Sequence, residues 1–200
     1  MNKKQKIAIF ALPVLVIFMY AIFQLATKIF GRELAWHIGF FIYWPIWCLS
    51  FPLWMVGRKK FRELFRYNKL NKQSLFLLIS PFIMALIGRF IMEYYQVNIW
   101  ARLVLVLYAF ANGSLEEILW RGVYIKLFPD KKLWGILWPT LWFSIWHYAP
   151  GSVSTSFNPF ILMAGAAVFG LCWSWLAMKT KTIRWSVISH ISTALVRVVG

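Results

Sequence analysis

Acidic residues are nearly missing from this chain: six Asp and Glu stand against 22 Lys and Arg in 200 residues, a formal net charge of +16. Histidine, with three copies, and cysteine, with two, are as scarce. Cys48 and Cys172 lie in separate apolar runs without CxxC or other metal-ligand spacing, so they read as small buried hydrophobes and offer no redox or zinc motif. There is no internal repeat, no low-complexity stretch and no RNA- or DNA-binding motif, which assigns the basic excess to anionic lipid headgroups rather than to nucleic acid. Polar sequence of any length is also lacking. Hydrophobic residues make up 61% and aromatics 20%, with mean hydropathy +0.65, where a soluble domain is about half apolar and a quarter charged. A separate soluble domain has no room here.

What fills the chain is a series of apolar runs long enough to cross a bilayer, about 20 residues each. They predict an all-α, multi-pass transmembrane bundle of about seven spans, near residues 7–27, 34–56, 74–92, 99–123, 133–149, 159–178 and 183–198. The first run follows Lys3, Lys4 and Lys6 and has no clear cleavage site, so it is expected to stay as a span. The loop 57–73 carries Arg58, Lys59, Lys60, Arg62, Arg66, Lys69 and Lys72 against the single acid Glu63 and is therefore expected in the cytoplasm. The N-terminal lysines, Lys126, Lys131 and Lys132, and Lys179, Lys181 and Arg184 then fall on the same side. Lys28 and Arg32 fall on the other side, against the trend. A cytoplasmic N-terminus follows, and the short basic chain suggests a bacterial plasma membrane. Prolines at 13, 45, 52, 81, 139 and 159 predict kinked or broken helices. The amphipathic pattern of Phe61, Leu64 and Phe65 among basic residues places part of the loop 57–73 on the membrane surface.

Four of the six acids (Glu33, Glu63, Glu93, Asp130) lie in or beside polar connections. Glu116 and Glu117 instead sit inside the fourth apolar run, in Asn112-Gly-Ser-Leu-Glu-Glu-Ile-Leu-Trp-Arg121, where an ionisable group costs at least ~2.5 kcal/mol at mid-bilayer without a partner or a cavity. Glu117 and Arg121 are four apart with the acid N-terminal, the favourable order for an ion pair. Glu116, turned about 100° away, faces another direction and suits general-base work. In a purely structural alternative, both acids neutralise Arg121 and fix helix packing. His147, in Phe143-Ser-Ile-Trp-His147, and His190, in Ser186-Val-Ile-Ser-His190-Ile-Ser-Thr-Ala194, are also within apolar runs and are the natural polar company for an unpaired intramembrane Glu. His37, Arg102 and the pair Arg89 and Glu93 read as structural.

At these residues the chain resembles the CPBP family of glutamate-dependent intramembrane endopeptidases, which includes type II CAAX prenyl proteases and bacterial Abi proteins. The motifs are EExxxR (Glu116, Glu117, Arg121), FxxxH (Phe143, His147) and a late histidine (His190), in order on successive spans across 116–194. The resemblance divides the one membrane domain into N-terminal spans over 1–98 and a catalytic core over 99–200. It departs at Ala194, where the family commonly has Asn. Ser186 and Thr193 share the His190 face and are candidate hydroxyl donors in its place; loss of one oxyanion donor costs about 10² to 10³ in rate.

The resemblance implies peptide hydrolysis with no metal and no other cofactor. Glu116 takes a proton from a water held by His147, the hydroxide attacks the scissile carbonyl of a peptide or protein substrate, and His190 stabilises the oxyanion. Two readings compete with it. Glu116, His147 and His190 are enough ligands for a catalytic zinc site with water as the fourth, although HExxH is absent. In the other, the chain is a bacteriocin immunity protein that acts by binding, without catalysis. The candidate groups are not level along their helices, so convergence calls for breaks, with Gly113-Ser114, Gly122 and Pro139 as candidate positions.

Overall fold

Helices start where a short polar side chain precedes an apolar run. Asn2 caps α1 (Lys3–Phe30) by accepting from the Gln5 amide, while the Gln5 side chain accepts from the Asn2 amide in a reciprocal capping box. Asn98 caps α5 (Ile99–Leu127) and Asn158 caps α8 (Pro159–Thr180), which begins on proline. Gly31, at φ +80°, turns the chain from α1 into α2 (Arg32–Val56), a conformation that disfavours any residue with a Cβ. The computed structural model describes residues 1–91, 98–155 and 158–196. Within these lie also α3 (Arg58–Glu63), α4 (Lys72–Ile91), α6 (residues 133–146), α7 (Tyr148–Val153) and α9 (Arg184–Leu195). Glu93, and with it the expected pair to Arg89, lies outside them.

Pro45 and Pro139 accompany wide turns rather than breaks, while Pro13 and Pro81 lie inside regular helix. The amides of Phe51, Val123 and Trp138 reach carbonyls five residues back, at Ile46, Ile118 and Leu133, so α2, α5 and α6 each contain a π-helical turn. Pro45 and Pro139 lie in or just after two of them, where a missing amide and a crowding ring would otherwise disrupt the ladder. The third, Ile118–Gly122, has no proline and directly follows the two buried glutamates. Gly122 thus lies at a distortion as expected, whereas Gly113-Ser114 continues regular helix.

Among the described residues five helices are long and apolar enough to cross a membrane by length and composition. The other two expected spans are met by shorter elements. Residues 133–149 divide at His147 between α6 and α7, and α9 has 12 residues, a rise of about 18 Å at 1.5 Å each. The bundle is built on α8, which packs against α4, α6, α7 and α9, while α1 lies against α2, α6 and α7, and α5 pairs with α9. Phe10, Ile17, Phe76, Ile87, Leu107 and Phe160 project outward and remain exposed, as a surface solvated by hydrocarbon requires.

One face gathers the basic connections. Lys4 donates to the Met55 carbonyl at 2.8 Å and Gln5 to that of Leu127 at 2.7 Å, tying the start of α1 to the ends of α2 and α5. Lys126 pairs with Glu63, Lys181 with Asp130, and Asn68 donates to the Thr180 carbonyl at 2.6 Å. The loop 57–73 is docked onto the bundle: Leu64 is fully buried, and its carbonyl accepts from the Ile183 amide at 2.8 Å and the Thr182 hydroxyl at 2.6 Å.

Gly113 sets the spacing of α5 and α9, since a Cβ there would lie 2.7 Å from Ile191 Cγ1 and 3.0 Å from its backbone nitrogen. Gly113→Val is expected to lower stability by about 1–3 kcal/mol, the usual cost of overpacking. Gly165→Ala, whose Cβ meets nothing within 4 Å, is expected to leave it unchanged or raise it slightly. Thermal unfolding in detergent measures both.

Candidate active site

Glu116, Glu117 and Arg121 occupy the end of regular α5 and its wide turn, and all three are 0% exposed. Burial of two carboxylates beside one guanidinium obliges the fold to surround them with donors. It does so with different partners for each acid.

Glu117 Oε1 lies 3.0 Å from Arg121 Nη1, the expected i, i+4 pair, and 3.0 Å from His190 Nδ1. A carboxylate only accepts, so Nδ1 carries the hydrogen and the His190 ring is fixed with Nε2 pointing away from Glu117. Arg121 extends its remaining donors to α8: Nε to Ser174 Oγ at 3.3 Å and Nη2 to the Gly170 carbonyl at 3.2 Å. Its guanidinium also covers the Phe143 ring at 4.2 Å. Gly170 has no side chain because a Cβ would meet Phe143 at 2.9 Å and Arg121 Nη2 at 3.0 Å. Thr140 joins Ser174 at 3.1 Å and completes the lock between α5, α6 and α8.

Glu116 turns the other way. Its Oε1 accepts from Trp146 Nε1 at 3.0 Å and from the Tyr43 hydroxyl at 3.4 Å. Tyr43 in turn accepts from Trp120 Nε1 at 2.6 Å and stacks on Trp146 with ring centroids 4.1 Å apart. Among the described residues Oε2 of each glutamate has no hydrogen-bond partner, and that of Glu116 lies 3.9 Å from His190 Nε2. His190 thus stands between the two carboxylates, bonded to one and facing the other. Its ring is held flat on Trp173, with centroids 3.9 Å apart and planes 15° from parallel. Trp173 is itself fixed by a bond to Ser189 Oγ at 3.1 Å. With both acids and Arg121 charged, one proton on His190 or on Glu116 brings this group to zero net charge.

His147 ends α6 and joins the group through Phe143, whose ring lies edge-on to it at 4.6 Å and edge-on to His190 at 6.3 Å. The Phe143 carbonyl, 2.7 Å from His147 Nδ1, accepts its hydrogen, which makes Nε2 the acceptor nitrogen of the neutral ring. Ser186 and Thr193 are buried on the His190 face as the spacing predicts, but their hydroxyls donate to carbonyls of their own chain segment, at Ile183 (3.0 Å) and Ser189 (2.7 Å). Among the described residues no three His, Cys, Asp or Glu side chains form a group able to hold a metal ion. His37 is packed in an aromatic cluster with Trp36 and Tyr108, and its Nδ1 lies 2.6 Å from the Tyr108 hydroxyl.

Sequence reasoning did not find Tyr43, Trp120, Trp146, Trp173 and Ser174. The aromatics counted there as apolar, although each Trp carries an N–H that must find an acceptor once buried. That Trp146 directly precedes His147 in the FxxxH motif was the available signal.

Residues 97–196 match the model of the family described as type II CAAX prenyl endopeptidase Rce1-like. No curated protein and no solved structure matches the chain. The matched segment contains Glu116, Glu117, Arg121, Phe143, His147 and His190, while Tyr43 reaches the site from outside it.

Arg121→Met leaves Glu117 buried without its guanidinium and is expected to cost about 3–5 kcal/mol of stability. Replacing both charges, Glu117→Met with Arg121→Met, is expected to recover a substantial part of that loss, because the pair is then removed together and the remaining Glu116 still has His190 beside it. Unfolding midpoints of the wild type, the single and the double variant in one detergent check this.

Proposed function

The chain belongs to the type II CAAX prenyl endopeptidase Rce1-like family, and from that premise we propose that it is an intramembrane peptidase in which Glu116 activates water against a peptide bond. The observation that carries this reading is the asymmetry of the two glutamates. Glu117 is paired with Arg121 and bonded to His190 through Oε1, whereas Glu116 makes no ion pair with Arg121, has Oε1 held by Trp146 and Tyr43, and places its unpartnered Oε2 3.9 Å from His190 Nε2. A base needs this arrangement: one oxygen fixes the carboxylate and the other takes a proton.

In the proposed reaction a water is held by His147 Nε2 and gives its proton to Glu116. The hydroxide adds to the scissile carbonyl carbon, and the carbonyl oxygen becomes an oxyanion beside His190. Donation from His190 Nε2, while Nδ1 donates to Glu117, requires the doubly protonated ring, a charge that the Glu117 carboxylate faces at 3.0 Å. The proton then passes from Glu116 to the departing amine, and no covalent enzyme intermediate forms. Glu117 and Arg121 are positioning residues. The substrate is a membrane-associated peptide or protein, with a peptide precursor or leader favoured, and processing or self-immunity in bacteriocin biology is the proposed context. The gathering of the basic connections on one face supports a cytoplasmic N-terminus, and a bacterial plasma membrane is the proposed setting.

Ala194 favours a second reading, binding without catalysis, because the hydroxyls of Ser186 and Thr193 are already committed to backbone carbonyls. Peptide profiles of cells making wild type or Glu116→Gln at matched membrane levels separate the two. Peptidase function predicts products and new N-termini that occur with wild type alone. Identical profiles, with protection from a bacteriocin retained by both proteins, would instead assign the glutamate to structure and the chain to immunity by binding. Against a cleaved substrate, Ala194→Asn is expected to raise turnover, up to the ~10²- to 10³-fold worth of one oxyanion donor, and an unchanged rate would show that position 194 does not face the oxyanion.

A further inference from the structure

The basic face contains a cavity of about 310 Å³ lined by Asn2, Lys3, Lys4, Met55, Val56, Lys60, Lys126 and Leu127. It lies where α1 begins and α2 and α5 end, so its depth is that of the membrane–water boundary, with the 25 residues of α2 leading from it to the opposite face. Its walls are of two kinds. Met55, Val56 and Leu127 are apolar, and Lys3, Lys4, Lys60 and Lys126 line the same cavity.

The lysines have unequal duties. Lys4 is spent on the α2 C-terminus, donating to the Met55 carbonyl at 2.8 Å and reaching that of Trp54 at 3.4 Å, and Lys126 lies 3.5 Å from Glu63. Among the described residues Lys3 and Lys60 make no ion pair, and both are exposed at the rim. Four lysines against the one carboxylate of Glu63 leave a local charge of +3. The ends of α2 and α5 are already capped by Lys4 and Gln5, so the cavity is held open by bonds that do not involve Lys3 or Lys60.

We propose that this cavity binds the phosphate of an anionic phospholipid, with Lys3 and Lys60 on the phosphate and the glycerol and upper acyl carbons against Met55, Val56 and Leu127. Phosphate is the shared chemistry, and the apolar wall at interfacial depth selects a lipid over a free ion. Basic pockets between helix ends at the cytoplasmic boundary are where such headgroups bind, each basic side chain near the surface contributing about fivefold in affinity.

Native mass spectrometry of the full chain in detergent, titrated with phosphatidylglycerol or phosphatidylcholine, tests this. Wild type is expected to retain phosphatidylglycerol in preference to phosphatidylcholine. Lys3→Gln with Lys60→Gln is expected to weaken phosphatidylglycerol about thirtyfold, with phosphatidylcholine unchanged. Lys59→Gln with Lys69→Gln removes the same charge from the same face outside the cavity and is expected to have a much smaller effect. Equal loss in the two double variants would overturn the site in favour of diffuse surface attraction. Equal retention of the two lipids, or displacement of phosphatidylglycerol by millimolar inorganic phosphate, would overturn the lipid assignment. None of these readouts involves peptide cleavage, so the proposal stands or falls separately from the peptidase reading.

Discussion

Two carboxylates and a guanidinium placed in the apolar interior of a membrane bundle are the constraint around which this molecule is organised. Hydrocarbon offers them nothing, and each must find its donors and counter-charge within the protein. The arrangement of α5, α6, α8 and α9 follows from that need. Arg121 reaches α8 at Ser174 and Gly170, Glu117 reaches α9 at His190, and Glu116 reaches α6 at Trp146 and α2 at Tyr43. Residues without side chains at 113 and 170 let the helices approach closely enough for these bonds.

The wide turn Ile118–Gly122 belongs to the same solution. An extra residue in one turn of α5 redirects the rest of the helix while leaving Glu117 and Arg121 in contact. Such turns recur at functional sites because they reorient side chains without breaking the helix. Here the turn directly follows the acids and ends at Gly122, against which Leu64 of the basic loop is packed. The loop is therefore part of the bundle's support, and its buried Leu64 carbonyl caps the start of α9, the helix that carries His190.

Much of this was legible in the sequence. Scarcity singled out Glu116, Glu117, His147 and His190, and helical spacing alone paired Glu117 with Arg121 and placed Ser186 and Thr193 beside His190. The all-α bundle and the gathering of basic connections on one face followed from apolar runs and lysine counts. What the sequence concealed has physical reasons. Hydropathy treats Trp146, Trp120 and Trp173 as apolar and cannot show that their N–H groups determine how Glu116, Tyr43 and Ser189 are held. The approach of α2 to α5, which brings Tyr43 to Glu116 across 73 residues of chain, is a tertiary event with no local signature. Pro45 and Pro139 signalled distortion, but Pro13 and Pro81 lie in regular helix, Ile118–Gly122 widens without a proline, and Gly113, expected as a break, is a contact point.

The proposed mechanism requires Glu116 to act on water rather than on the substrate itself. With a cleaved peptide in hand, a single turnover in ¹⁸O-labelled water measures this directly, by mass analysis of both the product and the peptide of the enzyme that contains Glu116. A general base predicts one ¹⁸O in the new C-terminal carboxyl of the product and none in the Glu116 side chain. Label appearing in Glu116 would mean that the carboxylate had attacked the carbonyl and been released by water, which contradicts the general-base role proposed for it.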